Sequence, residues 1–287
     1  MNKNYLIVLN PLPNKQKKYW LNWVINQLTQ KKLPYYVYTT SKTLSQNKVF
    51  FKNHLSEYSD VVVLGGDGTL HTLANCMPYN TQPITILPCG TGNDFVRNFN
   101  YTNTELKALL FSTKHMQIDL GKINDRYFIN SAGVGFDAEI VAKTIGHKGL
   151  MARFSYLYHA VTTLLFFKEH SLQLTESKIR TQYLNFLTVF ANGQFFGGGM
   201  QIAPNAHLQS GNLSCIAVEK ASLLKKLWAM TQIYQGKHIA LKEVSEKTAC
   251  EFVIETPNLP IQADGELVGE TPANVSTQKA ALTIKCL

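Results

Sequence analysis

The first 120 residues alternate short apolar runs with stretches of helical periodicity. Tyr5-Leu6-Ile7-Val8-Leu9, residues 35–39, Val61-Val62-Val63-Leu64 and Ile84-Thr85-Ile86-Leu87 are such runs. Apolar, β-branched runs of that length, bounded by turn residues, predict buried strands. Between the first two, Trp20, Trp23, Val24, Gln27 and Leu28 fall at helical spacing and form a mostly apolar stripe for packing on a sheet. Strands separated by helices need crossovers, so the sheet should be parallel.

After about residue 120 the rhythm changes. Ile118–Ile123 and Arg126–Asn130 flank Asn124-Asp125, a hairpin signal. Further strand-like runs follow at 183–191, 213–218, 248–255, 259–263 and 280–286, which suggests an antiparallel sandwich or barrel-like second domain. Two helical segments interrupt it, near 150–168 and 221–235. The expected organisation is therefore α/β followed by β, with domains over 1–120 and 121–287. There is no repeat or long linker, so the two should abut and leave a cleft.

Phe154 to Phe167, with Tyr156, Leu157, Tyr158, Val161, Leu164, Leu165 and Phe166, is rich in large apolar groups. Such a stripe either packs a helix on its own sheet or lines an acyl channel or touches a membrane. Packing is the commoner use, because exposed apolar patches of that size are rare.

The chemistry begins where the third strand ends, at Gly65-Gly66-Asp67-Gly68-Thr69. An open α/β sheet builds its ligand crevice at the carboxyl ends of its strands. Glycines there let backbone N–H groups approach a phosphate, and the following helix offers its positive end to the same anion. Asp67 has the chemistry to hold Mg²⁺ beside those phosphates. The plain alternative is a Gly-rich turn with Asp67 as a helix cap. The next strand end, Pro88-Cys89-Gly90-Thr91-Gly92-Asn93-Asp94-Phe95, again carries Gly, Thr and Asp, as a cleft lined by neighbouring parallel strands requires.

This pair of motifs resembles the catalytic domain of the diacylglycerol kinase family, in particular the bacterial lipid kinases related to sphingosine and ceramide kinases. More distantly, the first motif is similar to that of NAD kinases and phosphofructokinases. The resemblance implies a Rossmann-like nucleotide-binding α/β domain followed by a β-sandwich that takes the lipid. It also implies ATP and Mg²⁺ as cofactors. On it, Asn10, Pro11, Thr40, Gly65, Gly66, Asp67, Gly68, Thr69, Leu70, His71 and Thr91 fall to the nucleotide, Asn93 and Asp94 to the substrate, and Asp67 to the metal.

Near the other end, Asp264-Gly265-Glu266 lies between Leu259-Pro260-Ile261 and Leu267-Val268. From the residues alone it reads as a hairpin turn with solvated acids. The resemblance adds a role. The family carries Asp-Gly-Glu there with the Glu as general base on the lipid hydroxyl, which falls on Glu266, with Asp264 beside the metal network and Asp67 completing the catalytic set.

Other positions depart from the family. Asn10-Pro11 match, but Leu12-Pro13-Asn14 lack the usual loop glycine, and His71-Thr72 replace an Asn-Glu pair. Ala203-Pro204-Asn205-Ala206 resembles the segment before a structural magnesium loop. The loop itself reads Ser210-Gly211-Asn212-Leu213, with Ser210 where a ligating Asp belongs. A hydroxyl is a poor ligand for a hard cation, so a metal site at His207, Ser210 and Asn212 should be weak or empty.

Composition narrows the setting. The 287 residues are 45% hydrophobic and 16% charged, ordinary for a globular protein and long enough for two cores. No apolar run approaches the roughly 20 residues of a spanning helix, and no signal-peptide architecture opens the chain. The expected setting is cytoplasmic, with peripheral docking at the inner face of the membrane. Five scattered cysteines, Cys76, Cys89, Cys215, Cys250 and Cys286, predict buried free thiols. Residues 1–60 hold nine lysines against Glu57 and Asp60, a large part of the net charge of +9. Lys15, Lys17, Lys18, Lys31 and Lys32 bracket the first helix, as a solvated face or one that meets anionic lipid. No nucleic-acid-binding module is recognisable.

Three readings follow. The leading one is an ATP- and Mg²⁺-dependent kinase of a lipid alcohol at a membrane surface, in a family whose members are often homodimers. An NAD kinase is the second, disfavoured because the ribose-gripping Asn-Glu dipeptide occurs nowhere in the chain. A non-catalytic nucleotide- or lipid-binding regulator is the third.

Overall fold

The computed structural model describes residues 3–144 and 150–287, with side chains described for 3–144 and 158–287. Phe154, Tyr156 and Leu157 of the aromatic segment therefore lie outside the described side chains. The chain forms two compact units, residues 1–120 with 279–287, and residues 121–278. The sequence reading extends the second domain to 287. The last nine residues instead join the first unit, because Ile284 pairs in parallel with Ile84 and the Lys285 ammonium meets the buried Asp60 carboxylate at 2.6 Å.

In the first unit the order is β1 (Tyr5–Leu9), α1 (Lys15–Gln30), β2 (Tyr35–Thr39), α2 (Leu44–His54), β3 (Asp60–Gly65), α3 (Asp67–Cys76), β4 (Ile84–Pro88), α4 (Asp94–Arg97) and α5 (Asn103–Leu109). All four strands are parallel and lie in the order β4-β3-β1-β2. Strands β1 and β3 are buried along nearly their whole length, as their continuous apolar runs require. Trp20, Val24 and Leu28 of α1 pack on Tyr5, Ile7, Val62 and Leu64. The apolar stripe thus does what its spacing predicts. The chain moves outward from β1 to β2 and then crosses to the other side for β3. That reversal puts a topological switch point between β1 and β3, the place where an open α/β sheet leaves a crevice.

Strand β5 (His115–Ile123) carries the chain from the first unit into the second. There follow β6 (Arg126–Phe128), β7 (Ser131–Gly135), α6 (Phe136–Thr144), α7 (Leu150–Phe166), β8 (His170–Glu176), β9 (Ile179–Ala191), β10 (Leu213–Glu219), α8 (Leu223–Gln232), β11 (Val244–Ala249), β12 (Glu251–Ile254), β13 (Pro260–Ala263), β14 (Glu266–Glu270) and β15 (Ala273–Lys285). Ile123 pairs with Arg126 across the expected Asn124-Asp125 turn. Pairing within this unit is antiparallel. The long β9 organises it, pairing β8 through 179–185, β7 through 187–191 and β10 through 185–191. Phe128, Leu172, Phe190, Phe252, Ile261 and Val275 fill its core.

All five cysteines are free thiols, but against the expectation that all are buried only Cys89 and Cys215 are, with Cys76 and Cys286 half-buried and Cys250 exposed. Cys250 sits at the break between β11 and β12, where the chain leaves one strand for the next. Burial pushes the Cys76, Cys89 and Cys215 thiols up to about 12, so these stay protonated.

Candidate active site

In the first unit the carboxyl ends of the parallel strands bring four segments to one edge: Asn10-Pro11 after β1, Thr40 after β2, Gly66–Gly68 after β3 and Cys89–Thr91 after β4. The switch point is bridged there, because the Asn10 amide donates to the Thr69 hydroxyl at 3.1 Å.

The loop that lacks the family's glycine is held by a lysine. Lys17 Nζ donates to the carbonyls of Asn10 (2.8 Å) and Leu12 (2.5 Å) and also to Asn10 Oδ1. Lys17 is buried, and desolvation lowers its pKa. It therefore leaves the solvated basic face that the sequence assigns it to, while Lys15, Lys18, Lys31 and Lys32 remain exposed.

The glycines at the two motifs serve different ends. A Cβ on Gly66 would stand 2.7 Å from the Gly90 Cα, so these strand ends close on each other backbone to backbone. Around Gly68 there is nothing within 4 Å of an added Cβ, which leaves room for a ligand. The Gly68 N–H has no partner among the described residues and stands in the first turn of α3, where the helix dipole is positive. Asp67 is half-buried beside it. Its Oδ2 accepts the Asp94 N–H at 3.1 Å and its Oδ1 the Phe95 N–H at 3.0 Å, which ties the first motif to the second.

Several expected nucleotide or substrate contacts turn inward. Leu70 and His71 are only 3% and 4% exposed, on the face of α3 that packs inward. Thr69 is buried against Gly65 with its hydroxyl taken by Asn10, and Thr40 is buried with its N–H on the Leu9 carbonyl at 2.8 Å. Asn93, in the left-handed region at φ 53°, staples its own loop through Gly90 N (2.8 Å) and Gly90 O (2.9 Å). Asp94 is buried and pairs with Arg97 at 3.6 Å. Asn93 and Asp94 thus help to hold the shape of their own loop. Thr91, Pro11 and Gly68 remain exposed.

In the second unit, Asp264 and Gly265 have positive φ (48° and 83°), a two-residue hairpin turn between β13 and β14. The Asp264 carboxylate is partly buried and engaged by the backbone. It accepts N–H groups from Ile129 (2.9 Å), Asn130 (2.8 Å) and Ser131 (3.2 Å), clamping the β6–β7 connection. Glu266, at the start of β14, is exposed, and its carboxylate has no hydrogen bond or ion pair among the described residues.

A hydrogen-bonded relay braces this turn. Gln262 accepts the Gly265 N–H at 2.9 Å and donates to Asp137 Oδ2 at 2.8 Å. Asp137 opens α6 directly after β7, packed so closely on Gly133 that a Cβ there would meet Oδ2 at 2.2 Å. Burial pushes the Asp137 carboxyl up to about 6, opposed by the Gln262 and backbone hydrogen bonds. The sequence reading missed this residue. The available signal was an acid placed directly after a Gly-x-Gly strand end, at Gly133-Val134-Gly135-Phe136-Asp137.

At the third motif, Ser210 Oγ donates to the Asn212 carbonyl (2.9 Å) and accepts the Asn212 N–H (3.2 Å). The hydroxyl closes its own loop. His207 is exposed, and no cluster of three or more His, Cys, Asp or Glu side chains suited to a metal occurs among the described residues.

Comparison with known proteins agrees with this architecture. The diacylglycerol kinase catalytic domain matches residues 4–123, and the YegS C-terminal NAD kinase beta sandwich-like domain matches 130–286. A diacylglycerol kinase of Staphylococcus carnosus (strain TM300) is 29% identical over 99% of this chain and 95% of its own. A Bacillus subtilis (strain 168) protein provisionally named lipid kinase YtlR is 30% identical over 78% of this chain and 79% of its own. A diacylglycerol kinase crystal structure from Bacillus anthracis str. Sterne aligns with a TM-score of 0.73 at 16% identity, covering 99% of this chain and 97% of that one. Yeast NADH kinase complexed with NADH aligns at 0.54 and 10% identity over 99% and 83%, a likeness of fold alone. The chain belongs to the diacylglycerol kinase catalytic-domain family, whose members are lipid kinases.

Proposed function

We propose that this enzyme transfers the γ-phosphoryl group of ATP to the hydroxyl of a lipid alcohol, diacylglycerol or a related lipid. The observation that carries the reading is the open position at Gly68 in the Gly66–Gly68 bend. It lies at the switch point of a parallel sheet, with a free N–H on a helix N-terminus and space where a side chain would stand. Those are the requirements for holding a polyphosphate.

Phosphoryl transfer asks the protein mainly for positioning and charge neutralisation. The Gly68 N–H and the positive end of α3 would bind phosphate oxygens, while Lys17 fixes the loop at Asn10–Leu12 beside them. Asp67, a carboxylate at the same strand end, would hold Mg²⁺, and the cation would neutralise phosphate charge. Glu266, exposed and unengaged, is the group suited to take the acceptor's proton as the lipid oxygen bonds to phosphorus and the bond to the ADP oxygen breaks. Asp264 supports it structurally by fixing the turn. Docking at a membrane would be peripheral, since among the described residues no helix is long and apolar enough to span one.

The test incubates the protein with radiolabelled ATP, Mg²⁺ and a lipid extract in mixed micelles and resolves the products by mass. Label in a phosphorylated lipid supports the reading and names the acceptor. Label in NADP when NAD is supplied would instead support the NAD kinase. ATP binding without transfer to either would support the regulator.

A further inference from the structure

Helix α8 in the second unit is turned inside out. Its charged Lys226 is buried, ion-paired with Glu169 at 2.6 Å and 4.2 Å from the centre of the Phe186 ring. Leu224, Leu227 and Trp228 point outward, Leu224 at 79% exposure and Trp228 at 54%, and Tyr234 follows just beyond the helix end. The end of α7 joins the same region. Phe167 packs edge-on against Phe186 at 5.5 Å, and its neighbours Leu165 and Phe166 are exposed, Phe166 at 79%. The aromatic segment therefore does not only pack on its own sheet, since its last turn presents large apolar groups to solvent.

The rim of this apolar face is cationic. From Lys220 to Lys242 the sequence has five lysines and no aspartate or glutamate. Of the neighbouring carboxylates, Glu169 and Glu243 are ion-paired with Lys226 and Lys225, while Glu219, beside Lys220, is exposed. Lys220, Lys237 and Lys242 stay exposed. An apolar helix face carrying Leu and Trp, rimmed by lysine, has the chemistry of an interfacial membrane helix. Trp and Tyr suit the boundary between headgroups and acyl chains.

We propose that α8 and the last turn of α7 form the surface by which this protein docks on an anionic lipid bilayer. Charge complementarity selects that occupant. A second copy of the chain, paired isologously through this face, would set lysine against lysine. The inference rests on the proposed lipid-kinase reading and names the docking face for it, in place of the basic α1 face considered from sequence.

The test is co-sedimentation with vesicles of phosphatidylglycerol and phosphatidylcholine, lacking diacylglycerol and nucleotide, so that docking is read apart from catalysis. The wild-type chain should partition to anionic vesicles, with a blue shift of Trp228 emission. The double variant Leu224→Ser, Trp228→Ser should lose about tenfold or more of this binding. It should keep its melting midpoint and its activity on a short-chain soluble diacylglycerol. Lys237→Glu with Lys242→Glu should weaken binding in a salt-sensitive way. The proposal is overturned if the Leu224/Trp228 variant binds as wild type, or if only Lys15→Glu with Lys18→Glu on α1 abolishes binding. It is also overturned if the wild type ignores vesicles, or if it is a dimer that the double variant makes monomeric. Vesicle binding by a protein that transfers no phosphate would sink the kinase reading and leave the docking face standing.

Discussion

The Asp67 carboxylate receives the backbone N–H of Phe95 at 3.0 Å, twenty-eight positions further along the chain. With the bond from Asp94 N–H at 3.1 Å, Asp67 acts as the external cap of α4, whose own N-cap Asn93 gives it no side-chain bond. The two sequence motifs are thus one structural unit. Asp67→Ala should lower stability by about 1–3 kcal/mol, as expected for a lost cap with two buried donors. Asp67→Asn, which keeps an acceptor oxygen, should cost less. Urea denaturation measures this, and an Ala variant as stable as wild type would show that the clamp carries no weight.

The Lys285–Asp60 pair ties the returning C-terminal residues to the first unit. Both groups are buried, and Lys285 also donates to the Leu110 carbonyl at 2.8 Å. Burial lowers the Lys285 pKa and Asp60 opposes that shift. Lys285→Met strands a buried carboxylate and should cost about 3–5 kcal/mol. Adding Asp60→Asn should recover part of the loss, because the stranded charge is then gone. A double-mutant cycle in urea checks the sign, and strictly additive losses would count against a coupled pair.

Asp137 gives a pH signature. Its folded pKa of about 6 lies above the ordinary 3.8, so its contribution to stability is fully present below about 3.8 and is lost as pH rises through about 6. Above pH 6 the partly buried, desolvated carboxylate is ionised at a cost of order 3 kcal/mol. Asp137→Asn should therefore match wild type near pH 4 and be the more stable protein at pH 7.5. Melting midpoints of both proteins across that range test it. A difference that does not change with pH would mean Asp137 does not titrate in the folded state.

The frame of the first unit was legible because each of its parallel strands is a short, mostly apolar run, and because the α1 stripe repeats at helical spacing. The hairpin at Asn124-Asp125 was legible from its turn residues. What lay hidden were partnerships between distant positions. Lys17 reads as surface charge until the loop at Asn10 folds over it. Asp264 reads as a solvated turn residue until three N–H groups from 129–131 converge on it. Leu70 and His71 continue a motif in the sequence, yet the helical turn rotates their side chains into the core while Gly68 stays at the surface. Spacing along the chain locates a motif but does not tell which of its side chains the fold has already used.

That distinction separates the two acids of the Asp264-Gly265-Glu266 turn. Asp264→Ala would leave three buried donors unpaired and should cost about 2–4 kcal/mol with loss of the turn's shape. A thermal midpoint unchanged by that substitution would contradict the clamp. Glu266→Gln removes only an exposed charge and should fold as wild type.

The most direct measurement is the rate of phosphate transfer from labelled ATP to a lipid hydroxyl, wild type against Glu266→Gln, with melting midpoint and ATP affinity measured on the same samples. The account predicts labelled lipid from the wild type and a rate lower by about 10²–10⁴ in the variant, with fold and nucleotide binding unchanged. A variant that transfers phosphate at the wild-type rate would contradict it, as would a wild type that binds ATP and phosphorylates no lipid alcohol.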